Sequence, residues 1–295
     1  MDWRAEVTNR ARVWLVDRLR LRRRFAALLL DTTAPQGRRD ILPTASLPAP
    51  YVSVGAAMQA DIPVFIPCFN AVTYTRGMVE QLRARGLRRL YLLDNASDYP
   101  PMRDYLAAPG PGVTVILLPE NRGPRAIFLD PVSYALLPQF FCVTDPDLVL
   151  NPEMPADFLA RLAALTETLA IGKAGLALDI SDVARMRDEA FPVGDRHWKI
   201  WEWEDQFWQE PLTPLPEGDP VYRAPVDTTF ALYNKRYFDP SDPLRGVRVA
   251  GRYVCRHLPW YKDIGMPAEE ERYYRRHARD SYYLRDPETS SAPRY

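Results

Sequence analysis

The chain predicts an α/β fold built on a mostly parallel central sheet with helices on both faces, and three observations carry that expectation. Apolar runs of strand length recur from residue 61 onward, among them VFIPCF and QFFCV. Strands that are apolar on both faces belong to parallel sheets enclosed by helices. Segments of helical pattern separate these runs. Each run also ends in polar residues, and open α/β sheets bind ligands beyond the carboxyl ends of their strands.

The elements follow in chain order. Residues 1–50 stand apart as a basic helix and a proline-rich linker, TTAPQGRRDILPTASLPAP. The helix, ARVWLVDRLRLRRRFAALLL, interleaves Arg12, Arg18, Arg20, Arg22, Arg23 and Arg24 with Val13, Trp14, Leu15, Val16, Leu19, Leu21 and Leu28. Such a pattern suits either the anionic surface of a membrane or packing on the core through the leucines. DIPVFIPCF (61–69) is the first strand, followed by a helix over 71–85 that ends at Gly86. RRLYLLDNAS (88–97) is the second strand, with a short helix at 101–106. GVTVILLPEN (112–121) is the third, with a helix over 124–137. QFFCVTDPD (139–147) is the fourth. These elements make up a first half, 51–152, which ends in the Asp-Pro-Asp stretch.

A second half is expected over 153–262. It holds a helix at 156–169, a strand KAGLALDIS (173–181) and a tryptophan-rich segment HWKIWEWEDQFWQE (197–210). A strand-like stretch VYRAPVDTTFALYNKRYF (221–238) and RVAGRYVCRHLPWY (248–261) complete it. Residues 263–295 form a C-terminal helix and tail, so the core carries helical appendages at both ends.

Composition narrows the function classes. Lys and Arg total 38, matched by 38 Asp and Glu, which argues against a generally basic protein that coats nucleic acid. Cys68, Cys142 and Cys255 are scattered without metal-ligand spacing and read as small buried residues. Their odd number and the lack of a signal peptide point to a reducing, cytoplasmic setting. No apolar run is long enough to span a bilayer.

The chemistry concentrates at the strand ends. Asp145 and Asp147 flank Pro146 directly after the fourth strand. Two carboxylates on one turn repel unless a cation or a donor neutralises them, and few oxygen ligands suit Mg2+ or Mn2+ shared with substrate phosphates. A plain solvent-facing turn is the alternative. Polar residues follow the other strands: Pro67, Phe69 and Asn70, then Asp94 and Asn95, then Asn121, Arg122 and Gly123.

The order IPCFN, LLDNAS, PENRGPRAIF and VTDPDLVL resembles the nucleotide-sugar-dependent glycosyltransferases of the GT-A fold, closest to family 2, over roughly residues 61–260. The resemblance implies a metal-dependent transfer of sugar from a UDP- or GDP-linked donor to a glycan or lipid-linked acceptor, with 51–152 as the nucleotide-sugar-binding half and 153–262 as the acceptor-binding, catalytic half. It places Pro67, Phe69, Asn70 and Asp94 around the nucleoside, Asn121 and Arg122 near the donor, and Asp145 by the sugar nucleotide. Asp145 and Asp147 would bind the Mn2+ or Mg2+, completed by a late histidine, His257. That histidine, flanked by Leu258, Pro259 and Trp260, equally suits a core position.

An inverting enzyme needs a carboxylate base for the acceptor hydroxyl. Asp227, which Pro225, Val226 and Phe230 would partly desolvate, is the first candidate; Glu204 and Asp205 in WEWEDQFW are the alternative. Of Trp198, Trp201, Trp203 and Trp208, one is expected to face the acceptor sugar. The Gly172–Gly175 stretch corresponds loosely to a donor-side glycine loop. A sugar nucleotidyltransferase or a non-catalytic carbohydrate-binding relative are the other readings. The first lacks its glycine-rich loop here, since no glycine follows the first strand until Gly77. The basic N-terminal helix and the tail residues Tyr273, Tyr274, Arg275, Arg276, Tyr282 and Tyr283 suggest peripheral contact with the inner face of a membrane, as in surface polysaccharide or lipopolysaccharide synthesis.

Overall fold

A computed structural model describes residues 59–193 and 196–277. The helix and linker expected over 1–50, and the tail beyond His277, lie outside the described residues. Among the described residues thirteen strands run in chain order: β1 (Val64–Cys68), β2 (Leu90–Asp94), β3 (Val113–Leu117), β4 (Phe140–Val143), β5 (Leu148–Leu150), β6 (Lys173–Leu176), β7 (Phe191–Val193), β8 (Arg196–Trp198), β9 (Pro211–Leu212), β10 (Val221–Arg223), β11 (Ala231–Asn234), β12 (Val247–Val249) and β13 (Cys255–His257). Nine form one sheet in the order β3-β2-β1-β4-β11-β6-β12-β10-β9. The β3-β2-β1-β4 half is wholly parallel, and β11 enters antiparallel between β4 and β6.

The period of two along each strand sorts side chains between the two faces of the sheet. Val64, Ile66, Cys142 and Leu232 enter the larger core with Met78 and Leu82 of α1 (Val72–Ala84), Met102 and Leu106 of α2 (Pro100–Ala107), and Phe158 and Leu162 of the helix Phe158–Thr168. Their neighbours Phe65, Phe141, Val143, Ala231 and Tyr233 enter a second core with Ile127 and Phe128 of α3 (Ala126–Leu129). Helices therefore cover both faces, as a parallel sheet requires. Cys68, Cys142 and Cys255 are free thiols buried in the core, where burial pushes each thiol pKa up.

Several expected boundaries move. The helix expected over 124–137 is two, α3 and α4 (Pro131–Leu136), because Asp130 precedes a proline and adopts an extended conformation. Its carboxylate then accepts from Ser133 N at 2.8 Å and caps the second helix. The fourth strand stops at Val143, so the Asp-Pro-Asp stretch is a turn outside the ladder. The 221–238 stretch is two strands that are not neighbours in the sheet, β10 and β11, and the loop 224–230 between them has to cross two strands. Gly172 and Gly175 are buried at β6 rather than in an open loop. A Cβ on Gly172 would sit 2.3 Å from Phe238 Cα, and one on Gly175 would sit 2.5 Å from Val226 Cγ1. Close backbone approach explains both glycines.

Among the described residues the chain continues with α5 (Phe158–Thr168), already placed, α6 (Ile200–Asp205) and, nearer the C-terminal end, α7 (Ala268–His277). α7 is docked on the first βα unit. Glu270 is buried and accepts from Thr73 N (2.9 Å) and Thr73 Oγ1 (2.6 Å), supplying the cap that Ala71 lacks at the start of α1. Tyr273 meets Tyr99 at 4.7 Å between ring centroids, and Tyr274 packs against the cluster of Ala71, Tyr74, Leu258 and Met266. These two tyrosines thus face protein, and Arg275 pairs with Glu271. No described helix is long and apolar enough to cross a membrane.

Candidate active site

The turn after β4 and the end of β13 meet. β5 and β13 form a two-stranded antiparallel ribbon in which His257 lies opposite Leu148, the residue after Asp147. Leu258 N donates to Asp147 O at 2.8 Å and secures that register. As a result His257 Nε2 stands 3.3 Å from Asp147 Oδ2. One ligand atom from each of Asp145, Asp147 and His257 lies within 4.8 Å of the others. Trp260 holds the imidazole edge-on, with ring centroids 5.0 Å apart. Asp145 is fixed twice by Thr228: its N–H donates to Thr228 O at 2.9 Å, and Thr228 Oγ1 donates to its Oδ2 at 2.6 Å.

Electrostatics mark this cluster as short of positive charge. Burial, and next the Asp147 charge, push the Asp145 carboxyl well above the usual carboxylate range, against the pull of the Thr228 hydroxyl and His257. Burial pulls His257 down, but Asp147 outweighs it and holds the imidazole above its ordinary value. Asp147 Oδ1 is buried with no hydrogen-bond partner, a costly state for a carboxylate oxygen. Two carboxylates and an imidazole, one with an unsatisfied oxygen, fit a divalent cation of the Mn2+ or Mg2+ type.

A cavity of about 140 Å³ adjoins the cluster and is lined by Asp145, His257, Asp227, Glu204, Arg248 and Trp203 among others. Asp227 sits on the loop 224–230, not within a strand, with its side chain 41% exposed and ion-paired to Arg125. Glu204, on α6, is buried against Arg248. Burial raises its carboxyl to about 7, with Arg248 opposing. Asp205, one residue on, is exposed, binds Gln209 Nε2 at 3.0 Å and does not line the cavity. Among the four tryptophans, Trp203 lines the cavity, with Trp198 edge-on behind it at 5.6 Å. Trp208 packs on Tyr222, and Trp201 leans on the core.

The residues after β1, β2 and β3 form a separate polar rim. Pro67 is inside β1, paired with Leu93 and buried; Phe69 is half-buried. Asn70 is fully buried with φ of 53°, and its side chain is spent on the neighbouring loop: Oδ1 accepts from Asp98 N and Tyr99 N, and Nδ2 donates to Asp98 Oδ1 at 2.7 Å. Asp94 Oδ2 accepts from Ser97 N at 3.1 Å, whereas its Oδ1 is buried without a hydrogen-bond partner. Burial raises the Asp94 carboxyl. Asn95 accepts from Arg122 N at 3.0 Å and anchors the 121–123 loop, where Asn121 and Arg122 are exposed.

The sequence reading overlooked four residues that build this site: Arg125, Thr228, Lys173 and Arg248. Thr228 adjoins Asp227 and Arg125 lies in the ENRGPRA stretch, so proximity to named residues was the available signal. A buried cation such as Lys173 or Arg248 leaves no pattern in a strand.

A family model, glycosyl transferase family 2, matches residues 64–219, more than half of the chain. The chain belongs to glycosyl transferase family 2. This glycosyltransferase has the GT-A fold, with the mixed sheet described above. The matched span holds Asp94, Asn121, Arg122, Asp145, Asp147 and Glu204 and stops short of Asp227 and His257, so those two stand on geometry. No curated protein matches the chain. Among solved structures, it is similar to GalNAc-T7 with UDP, GalNAc and Mn2+ (TM-score 0.44, 12% identity, 72% of this chain and 46% of that one). It is also similar to Mycobacterium tuberculosis glucosyl-3-phosphoglycerate synthase in complex with phosphoglyceric acid (0.33, 14%, 47% and 52%). A third is S. aureus TarS 1-349 (0.38, 13%, 67% and 60%). The chain spans about half the length of these neighbours, and likenesses at this level decide nothing about donor or acceptor.

Proposed function

We propose that this family 2 enzyme is a metal-dependent, inverting transferase. It moves a sugar from a UDP- or GDP-linked donor to a saccharide or lipid-linked acceptor. The buried, unsatisfied Asp147 Oδ1 inside the Asp145–Asp147–His257 cluster carries the reading. Those three residues would hold Mn2+ or Mg2+, which when bound supplies Lewis-acid stabilisation of the leaving diphosphate.

The rest of the chemistry belongs to this chain's side chains. Asp94 offers Oδ1 to a nucleoside donor group at the rim, with Pro67, Phe69 and Asn70 shaping the rim, and Asn121 and Arg122 stand by the donor. Asp227 takes the proton of the attacking acceptor hydroxyl, and Arg125 keeps its carboxylate turned toward the cavity. Trp203 presents an aromatic wall to the acceptor sugar. Glu204, on the same cavity, is the alternative base; Asp205 lies outside it. The work takes place at the inner face of a membrane, where the arginine- and leucine-rich segment within residues 1–30 would contact anionic lipid. Liposome binding unaltered by deletion of residues 1–30 would remove that assignment.

The deciding experiment is calorimetric titration of UDP and GDP into the full chain, with and without Mn2+, repeated on Asp147→Ala. One nucleotide is expected to bind only with metal, and the variant to lose that binding. Equal binding by the variant, or no binding of either nucleotide, would overturn the metal assignment.

A further inference from the structure

Lys173 is the first residue of β6, in the middle of the sheet, and is 1% exposed. Its Nζ donates to Val226 O (2.5 Å), Asp227 O (2.8 Å) and Pro243 O (3.0 Å). An ammonium has three N–H donors, and here each meets a carbonyl oxygen. The Tyr233 ring lies 4.8 Å away on a further side. Two of the three carbonyls belong to the loop that carries Asp227 and Thr228.

That loop crosses from β10 to β11 without a ladder of its own. Val226 N donates to Leu244 O at 2.9 Å, and Arg248 Nε donates to Pro225 O at 2.8 Å. Both of those bonds hold the 225–226 peptide, and Lys173 holds the two peptides that follow it. Downstream of the clamp lie the Thr228 contacts to Asp145 and the Asp227 carboxylate at the cavity. Gly175 and Gly246 let this loop approach closely: a Cβ on either would come within 3.0 Å of Val226.

We infer that Lys173 is a positioning residue for sugar transfer. By clamping the carbonyls of Val226 and Asp227 it sets the Asp227 carboxylate and the Thr228–Asp145 contact at one fixed place relative to the acceptor. It touches neither substrate nor metal. The inference rests on the proposed role of Asp227, and it adds the buried cation that gives that role its precision. Displacement of a reacting group by about 1 Å costs on the order of 10²-fold in rate, and a clamp of three hydrogen bonds is what prevents such a displacement.

The test uses the full chain and the variants Lys173→Met, which keeps the length and removes all three donors, and Lys173→Gln, which keeps two. Nucleoside diphosphate sugar hydrolysis with Mn2+ supplies kcat and donor KM, calorimetry with UDP or GDP supplies nucleotide affinity, and thermal melts report folding. Lys173→Met is expected to lower kcat by about 10²-fold with donor KM and nucleotide affinity within about threefold, and Lys173→Gln to fall between. A wild-type kcat in Lys173→Met overturns the inference. So does a loss of kcat matched by equal losses of nucleotide binding and folded protein in both variants, because the lysine would then be a plain stabiliser. Absence of nucleotide binding and hydrolysis in the wild type would instead overturn the proposed function, a separate outcome.

Discussion

Glu270 provides a direct measure of how α7 is tied to the catalytic core. It is 197 residues from Thr73 in sequence, yet its two carboxylate oxygens accept from both Thr73 N and Thr73 Oγ1. Loss of a helix N-cap costs about 1 kcal/mol. A hydrogen bond to a charged group contributes about 1.5–3 kcal/mol, and Thr73 is exposed, so water replaces part of it and the lower end applies. Removing the buried stem adds about 0.8 kcal/mol per methylene. Glu270→Ala is therefore expected to lower unfolding free energy by about 2–3 kcal/mol, and Glu270→Gln by about half, since an amide accepts through one oxygen only. Urea unfolding followed by tryptophan fluorescence measures both. A cycle with Thr73→Ala should return a coupling of about 1 kcal/mol. If Glu270→Ala changes stability by less than about 0.5 kcal/mol and the coupling vanishes, α7 is not docked as described and the capping argument fails.

Three further outcomes follow from the site. Asp227→Asn should lower the transfer rate by about 10²–10⁴-fold with metal-dependent nucleotide affinity unchanged; a variant at full rate would shift the base to Glu204. Arg248→Met leaves the Glu204 carboxylate buried and unpaired, at a cost of about 3–5 kcal/mol, whereas Arg248→Met combined with Glu204→Leu should recover most of it in a denaturation series. Burial pulls the Lys173 amine down to about 7, with Asp227 opposing and Arg125 and Arg248 reinforcing the fall. Between about pH 7 and the ordinary lysine value near 10.4 the unfolded chain thus binds more protons than the native one. This group's contribution to stability rises with pH across that window and is constant below it. The stability–pH slope of Lys173→Met should be correspondingly less positive there, and an identical slope would show that Lys173 does not titrate in that range.

Much of the parallel half could be read directly because each strand there is apolar on both faces. VFIPC, LYLLD and FFCV needed only their length and composition to be called strands, and Asp94 and Asp145 lie at or just beyond strand ends as the topology demands. The antiparallel half was harder. VYRAPVDTTFALY reads as one stretch, and only pairing of β10 with β12 and of β11 with β4 and β6 splits it into two strands around a loop. Asp205 was as good a carboxylate as Glu204 on paper. The register of α6 turned one toward the cavity and the other toward solvent, a difference of one residue.

Local composition and periodicity by themselves determined the layered α/β class, the order of polar residues at the strand ends from Asp94 to Asp147, and the presence of two carboxylates on one turn. Those features depend on interactions between near neighbours in the chain. Tertiary structure alone decided the meeting of His257 with Asp147, of Arg125 with Asp227, of Lys173 with the 226–227 peptides, and of Glu270 with Thr73. Each joins residues at least 50 positions apart. Such contacts depend on sheet order and ribbon register, and no pattern of short period encodes them.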